Sequence, residues 1–170
     1  MGQDASTSDA EAFAWFFTAE YGQVVRVLTV VLHERPAAED LAQEAFVRLH
    51  LHWAKVSRYD RPEVWVRRVA LNLAFSYRRR EYRRRTLEAV ATWHEVEPEW
   101  NPRVDHDDVI AAIGTLKPRE RALIALFHME DRPLDEVSDV LGMTPGAAKV
   151  ALHRARRRLA RRLTDTEVTP

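Results

Sequence analysis

The chain has 170 residues and is 46% hydrophobic, so one ordinary domain or two small ones can bury a core, and disorder is not expected. It contains no cysteine, which excludes disulfides and thiolate metal sites and fits a reducing compartment. The net charge of zero hides two basic blocks separated by an acidic stretch. Residues 55–85 carry 11 basic and 3 acidic side chains, residues 86–115 carry 1 basic and 7 acidic ones, and residues 116–163 carry 11 basic and 6 acidic ones. Two separated basic blocks suit contact with two stretches of polyanion.

The N-terminal stretch carries no targeting or membrane pattern. Residues 1–11 are polar and acidic, without the basic and apolar regions of a signal peptide. The longest apolar runs, such as Val27–Leu32, are far too short to span a bilayer. We expect a soluble, cytoplasmic protein whose residues 1–10 are flexible.

Apolar residues spaced by three and four then predict three helices. The first ends before Pro36, the second runs from about Ala37 to Trp53, and the third is opened by Pro62 and reaches about Arg85. No alternating run of β-branched residues argues for a sheet. The fold class is therefore predicted as all-α, with a first helical bundle over residues 11–85.

A weakly patterned acidic stretch follows. Residues 86–106 include Pro98 and Pro102 and scattered carboxylates, which is typical of a linker. About 20 extended residues reach roughly 70 Å, or about 20 base pairs of duplex. Such a linker favours two units that dock independently.

The second unit is predicted over residues 107–163, with two helices before Pro133, two after it, and a tail at 164–170. The first pair takes its core from four apolar side chains: Leu116, Leu123, Ile124 and Phe127.

The segment Leu134–Leu163 has the pattern of a helix-turn-helix. Gly142 stands where the turn needs a positive φ, Thr144 is placed to cap the second helix, and Pro145 suits its first position. Seven cations lie between Lys149 and Arg162 with no acidic residue among them. A solvated helix end explains one or two cations, not seven, so we favour DNA binding, with the start of the second helix in the major groove.

The third predicted helix carries the other basic block. Its sequence WVRRVALNLAFSYRRREYRRR interleaves arginines with Trp65, Tyr77 and Tyr82. Cations that follow a backbone beside aromatic rings that stack bases suit single-stranded nucleic acid. The alternative is that Trp65 and Tyr77 are core residues.

Three segments together resemble the sigma-70 superfamily, and within it the extracytoplasmic-function group of RNA polymerase sigma factors. AEDLAQEAFVRLHLHW, at 38–53, looks like the core-polymerase-binding segment. WVRRVALNLAFSYRRR, at 65–80, looks like the −10-element helix, and the stretch at 116–159 looks like the −35-binding domain. The resemblance implies two helical domains, sigma region 2 and sigma region 4, that bind core polymerase and promoter DNA.

The resemblance also implies roles for particular residues. The core polymerase-binding residues would be Asp40, Leu41, Gln43, Glu44, Phe46 and Leu49, with Phe46 as an apolar anchor among polar contacts. The −10 DNA-binding residues would be Arg58, Tyr59, Asp60, Trp65, Arg68, Asn72, Arg78 and Arg79. The −35 DNA-binding residues would be Thr144, Gly146, Ala147, Lys149, Val150, His153, Arg154, Arg156 and Arg157.

In this reading the loop Lys55–Pro62, with Arg58, Tyr59 and Asp60, holds a base flipped from the opening duplex. Opening is then driven by binding, and the chain is not an enzyme. The acidic linker threads toward the polymerase active centre or the RNA exit path. The expected partners are core RNA polymerase, promoter DNA that is duplex at −35 and single-stranded at −10, and an anti-sigma factor. No cofactor or metal is expected.

One departure and two alternatives accompany this reading. Val150 and Ala151 stand where the family often has serine and arginine, which leaves the −35 base contacts open. A stand-alone helix-turn-helix repressor would share the second unit but not bind polymerase. A metalloenzyme is disfavoured because His50 and His52, two positions apart on a helix, point to different faces.

Overall fold

The computed structural model describes residues 3–92 and 108–167, and every regular element within these ranges is helical. Three long helices come first, followed by three short ones and a long C-terminal helix. Their bounds are α1 Gln3–Leu32, α2 Arg35–Val56, α3 Pro62–Thr92, α4 Asp108–Gly114, α5 Pro118–Ile124, α6 Leu134–Leu141 and α7 Pro145–Glu167. The all-α fold class is confirmed.

Helices α1, α2 and α3 form the first half of the molecule. Leu28, Leu49 and Val66 lie fully inside their shared core. A cluster of aromatic rings closes the far end, where the Phe13 ring meets the edge of Trp53 at a centroid distance of 5.3 Å. Burial of these apolar faces, rather than helix propensity, stabilises the bundle.

The ends of the first two helices follow the sequence closely. The chain leaves α1 at His33 with φ +57, and the His33 amide donates to the Thr29 carbonyl at 2.8 Å. A left-handed residue after the last turn is a common helix terminator. Pro36 then occupies the first turn of α2, where its missing N–H costs no hydrogen bond.

Two bounds differ from the sequence prediction. Helix α1 begins at Gln3, inside the segment expected to be flexible, and α3 continues to Thr92 instead of ending near Arg85. Seven residues assigned to the linker are therefore helical. The remainder of the predicted linker, 93–106, lies outside the described residues.

Helices α4 to α7 form the second half, with two helices on each side of Pro133 as predicted. Helix α5 continues into a π-helical turn, Ala125–Met129, in which the Glu130 amide donates to the Ala125 carbonyl at 3.1 Å. Leu116, Leu123 and Ile124 are buried as expected, and Phe127 is half-buried.

The two halves pack against each other in this structure. Helix α1 contacts α5, and α3 contacts α6, so buried residues of both halves form one continuous core cluster. The buried Arg121 guanidinium donates across the junction to the Val31 carbonyl at 2.9 Å. Two units expected to dock independently are here one packed body.

Candidate protein and nucleic-acid interfaces

One face of α2 presents polar side chains to solvent. Asp40, Gln43 and Glu44 are exposed, and their spacing by three and four places them on one side of the helix. Glu44 is paired with Arg48 one turn later at 2.5 Å. This face can offer hydrogen bonds to a partner.

The apolar residues predicted for this face lie elsewhere. Phe46 is 2% exposed and its ring packs edge-on against Phe17 at 5.1 Å, so it is not a surface anchor. Leu41 and Leu49 are also buried in the core. The prediction of direct contact by these three residues is wrong for this structure, because they hold the helix in place from behind.

Two exposed apolar residues continue the polar face. Val47 is 59% exposed and Leu51 is 75% exposed, one and two turns beyond Glu44. Their spacing from Asp40 and Glu44 was visible in the sequence, but periodicity alone did not separate the inward stripe from this second one. They present the exposed apolar surface that the buried Phe46 does not.

The loop between α2 and α3 is short and held by backbone hydrogen bonds. The Tyr59 amide donates to the Val56 carbonyl at 3.0 Å. Arg58, Tyr59 and Asp60 all project into solvent. The loop therefore presents a ring and charges of both signs on a constrained turn.

Helix α3 carries the predicted single-strand face. Trp65 is half-buried and its ring lies 5.9 Å from that of His52, while Arg68 and Asn72 are exposed on the same side. Tyr77 is half-buried and its hydroxyl donates to the Glu34 carboxylate at 3.1 Å. Burial, and then the nearby Glu34 charge, raise the pKa of Tyr77 above its usual value. Tyr77 is thus better explained as a packing residue, as the alternative reading held.

Protein groups already occupy part of that face. The Arg68 guanidinium donates to the Asp139 carbonyl at the end of α6, with Nε at 3.0 Å. Arg61 pairs with the Asp139 carboxylate at 2.7 Å. Two cations of the first half, Arg61 and Arg68, are therefore in contact with the second half while staying partly exposed.

Further along α3, a cationic cleft of about 710 Å³ opens between this helix and the start of α5. The Arg119 guanidinium lies over the Phe75 ring at 5.3 Å on its floor. The lining comprises Phe75, Arg78, Arg79, Tyr82, Arg83, Lys117, Pro118 and Arg119. Cations beside rings fit a polyanion that carries bases.

The helix-turn-helix has the predicted geometry. Gly142 adopts φ +63, and the Ala147 amide donates to the Thr144 hydroxyl at 3.2 Å, which caps α7. Ala148, Leu152 and Ala155 face the core at helical spacing. The opposite face is open to solvent and carries Gly146, Ala147, Lys149, Val150 and His153.

The later arginines of α7 divide into two groups. Arg154 and Arg157 are exposed and available to phosphates. Arg156 donates to His128 Nε2 at 3.1 Å and lies over the Phe127 ring, and Arg158 pairs with Glu120 at 2.6 Å. Burial, and then the charge of Arg156, lower the pKa of His128, which favours the neutral ring that can accept from Arg156. Only part of the basic helix is therefore free of intramolecular contacts.

Arg67 was not singled out in the sequence, yet it is the most buried charged residue described, at 1% exposure. Its Nε donates to Glu130 at 2.8 Å and its Nη1 to Glu20 at 2.6 Å. The helical spacing of the sequence indicates this burial, because Arg67 lies one turn before Leu71 on the inward face of α3.

Two negative findings concern the described residues only. Among residues 3–92 and 108–167, no three histidines or carboxylates are grouped as metal ligands. Within the same ranges, no helix is both long and apolar enough to cross a bilayer.

Family models match both halves of the chain. The model described as Sigma-70 region 2 matches residues 16–84, and that described as Sigma-70, region 4 matches residues 106–159. The first match reaches residue 84, about three quarters of the way along α3, and the second covers the helix-turn-helix.

Individual proteins agree with these matches. A protein named RNA polymerase sigma-E factor from Streptomyces antibioticus is 30% identical over 88% of this chain and 87% of its own length. The ECF RNA polymerase sigma factor SigE of Mycolicibacterium smegmatis is 32% identical over 72% of this chain and 50% of its own. A solved structure, the sigma factor RpoE in complex with the anti-sigma factor NepR from Bartonella quintana, shares the fold, with a TM-score of 0.67, 21% identity, and coverage of 91% of this chain and 98% of that one.

Proposed function

Because the chain belongs to the sigma-70 family of RNA polymerase sigma factors, in its extracytoplasmic-function group, we propose that it binds core RNA polymerase, recognises a promoter at −35 and −10, and stabilises the opened DNA. The observation that carries the proposal is the presence of both family regions in order, with the region 4 match ending in a capped, outward-facing recognition helix.

The polymerase contact is assigned to the outer face of α2. Asp40, Gln43 and Glu44 would form hydrogen bonds, and Val47 and Leu51 would supply the apolar contact. A patch that combines exposed apolar side chains with a polar rim is typical of a protein interface. Leu41, Phe46 and Leu49 would support it from the core.

The two promoter contacts are assigned to different helices. The start of α7, from Gly146 to His153, would enter the major groove at −35, and Arg154 and Arg157 would meet phosphates. Trp65, Arg68 and Asn72 of α3, with the 57–61 loop, would hold the −10 strand. Arg78 and Arg79 in the cationic cleft would follow its backbone.

No catalytic role is assigned to any side chain, since strand opening would be driven by the capture of unpaired bases. The place of action would be the cytoplasm, where core polymerase and the genome lie. An anti-sigma factor is proposed as a regulatory partner, because a sigma factor of similar fold has been solved with one.

A run-off transcription assay tests this proposal. Purified core polymerase with the chain should initiate at a small set of promoters from a fragmented genome, and core polymerase alone should not. Binding to duplex DNA without any polymerase-dependent transcription would contradict the proposal and favour a stand-alone repressor.

A further inference from the structure

The exposed start of α7 offers a restricted set of side chains to a base pair. From Pro145 to Leu163 the sequence contains no carboxylate, carboxamide or hydroxyl side chain. The residues that face solvent over the first turns of the helix are Gly146, Ala147, Lys149, Val150 and His153. Polar side-chain atoms on this face therefore belong to Lys149 and His153 alone, and its other three positions are apolar or bare.

This inventory limits what α7 can recognise, because each base presents a different pattern in the major groove. Adenine is recognised by the paired donor and acceptor of an asparagine or glutamine, and cytosine by a carboxylate that accepts from its amino group. Neither kind of side chain is present on this face. A lysine can donate to the acceptors of guanine, and an apolar side chain can contact the methyl group of thymine. The face therefore favours guanine and thymine.

Val150 is the largest apolar side chain of this face. It is 50% exposed, whereas Ala148 and Leu152 on either side of it in the sequence are buried in the core. Valine is a poorer helix former than alanine, so neither packing nor helix formation accounts for it at an exposed position. Ala147 lies one turn earlier on the same side of the helix. The two residues form an apolar strip along about 4.5 Å of the helix axis, slightly more than one base-pair rise.

Gly146 lets the first turn of α7 approach the bases closely. It is exposed, its φ is not positive, and a Cβ added to it would meet nothing within 4 Å. Neither the backbone conformation nor packing within the chain therefore requires glycine here. A glycine of this kind is typical of a place where the backbone comes close to a ligand. Because the Val150 side chain is short, it reaches a base only if the preceding turn also lies deep in the groove.

Cations on two sides of Val150 can fix which base pair faces it. Lys149 is exposed and lies about 100° away around the helix axis, and Arg154 is exposed one turn beyond Val150. Lys149 can donate to the edge of a guanine, and Arg154 can donate to a phosphate. A base contact on one side and a backbone contact on the other set the register of the helix in the groove.

We propose that Val150 is a specificity-determining residue, which contacts the 5-methyl group of a thymine in the −35 element beside a guanine bound by Lys149. This inference rests on the proposed function and deepens it, because it names the bases that α7 recognises. Cytosine in place of the thymine is disfavoured, since its amino group would lie against a side chain that cannot accept a hydrogen bond.

Selection from a randomised −35 element locates the two bases. Holoenzyme of core polymerase and the full chain is incubated with a promoter library in which only the upstream element varies, and the bound sequences are read. The parent chain should enrich thymine at one position and guanine at a neighbouring one. Val150→Ser should lose the thymine enrichment and keep the guanine. Val109→Ser is the matched control, because Val109 is a 46% exposed valine on α4, and it should keep both.

Removal of a single methyl group tests the contact itself. Deoxyuridine in place of the selected thymine deletes the 5-methyl group and leaves the hydrogen-bonding edge unchanged. The parent holoenzyme should bind the deoxyuridine duplex about fourfold more weakly, as expected for one methyl group returned to water. Val150→Ser should bind the two duplexes equally, and Val109→Ser should keep the fourfold difference. Fluorescence anisotropy measures these affinities, and the parent comparison does not depend on the folding of any variant.

The outcomes separate this inference from the proposed function. An affinity of the parent that is unchanged by deoxyuridine overturns the inference, and so does thymine enrichment that persists in Val150→Ser, because DNA shape would then be recognised instead of the methyl group. Enrichment of other bases without thymine also overturns it. In each of these cases the sigma factor assignment stands. Absence of any sequence preference together with absence of polymerase-dependent transcription contradicts the proposed function, and the inference fails with it.

Discussion

The two surfaces that we propose to bind DNA are built from the same kind of charge, and they differ in which protein groups contact their cations. On α3, Arg68 donates to a backbone carbonyl of the second half, and Arg61 pairs with a carboxylate beside it. On α7, Lys149, Val150 and His153 face solvent at the start of a capped helix. A count of basic residues cannot separate these cases. The cations of α7 are open to solvent, whereas two cations of the first half already have partners in the second half.

The largest effect on DNA affinity is expected from a charge reversal on the exposed face of α7. Lys149→Glu should weaken binding to a −35 duplex about a hundredfold, because it removes a cation near the bases and adds a repulsive charge. Lys149→Ala should cost about tenfold. Fluorescence anisotropy of holoenzyme on an upstream duplex measures both, with Arg26→Ala, at an exposed position of α1, as the control. An equal loss of affinity in the control would show that α7 does not recognise the −35 duplex.

The α3 surface should act at promoter opening and not at duplex binding. Asn72→Ala should reduce the fraction of opened promoter about tenfold while the −35 duplex affinity changes less than twofold, because Asn72 faces the proposed −10 strand only. Permanganate reactivity of unpaired thymines reports opening, and anisotropy reports duplex binding. Equal effects on the two steps would remove the proposed division of labour between α3 and α7.

The geometry of the open surface depends on one backbone angle. Gly142→Ala should destabilise the fold by about 1 kcal/mol, since an alanine at φ +63 is strained even where space is open. Gly22→Ala is the matched control, also in open space but at ordinary helical φ, and should stabilise by about 1 kcal/mol. Thermal melts compare the pair. The same sign for both would show that the turn does not require positive φ.

The smallest expected effect is on the pH dependence of stability, through His33 at the end of α1. Burial, and then the charges of Arg121 and Arg78, lower the pKa of His33 to about 4 from 6.5. Between these two pH values the His33 imidazole is protonated in the unfolded chain but not in the folded chain. The free energy of unfolding therefore falls as the pH drops from 6.5 toward 4. A shift of this size corresponds to about 2 kcal/mol between pH 7 and 5, and solvent screening at the partly exposed ring lowers the expected His33 share to about 1 kcal/mol.

Urea unfolding at the two pH values, with His33→Asn for comparison, measures this share. Asparagine tolerates the positive φ at this position, so the variant isolates the titration from backbone strain. The variant should lose less stability on acidification than the parent chain. An identical loss would place the acid sensitivity elsewhere, for example in the ion pair between Arg67 and Glu130.

Sequence patterns predicted the helices and the helix-turn-helix because both depend on local rules. Gly142, Thr144 and Pro145 have the roles that turn geometry and capping chemistry assign them. The outer face of α2 was less accessible to prediction. Periodicity locates apolar residues but not the side of α2 on which each lies, so the sequence predicts a surface anchor at Phe46, which is buried in the structure. The Arg67 cluster depends on residues 47 and 63 positions away, a relation that no local pattern contains.

The length of α3 bears on promoter architecture. With 31 residues it is a rod of about 46 Å, and at most 15 residues, spanning about 50 Å when stretched, join Thr92 to Asp108. A long helix followed by at most 15 residues restricts the separations at which the proposed DNA-binding surfaces of α3 and α7 can both reach one duplex. Each inserted base pair also turns the upstream site around the DNA axis by a tenth of a revolution. Promoters served by this protein should therefore share one nearly fixed spacer length.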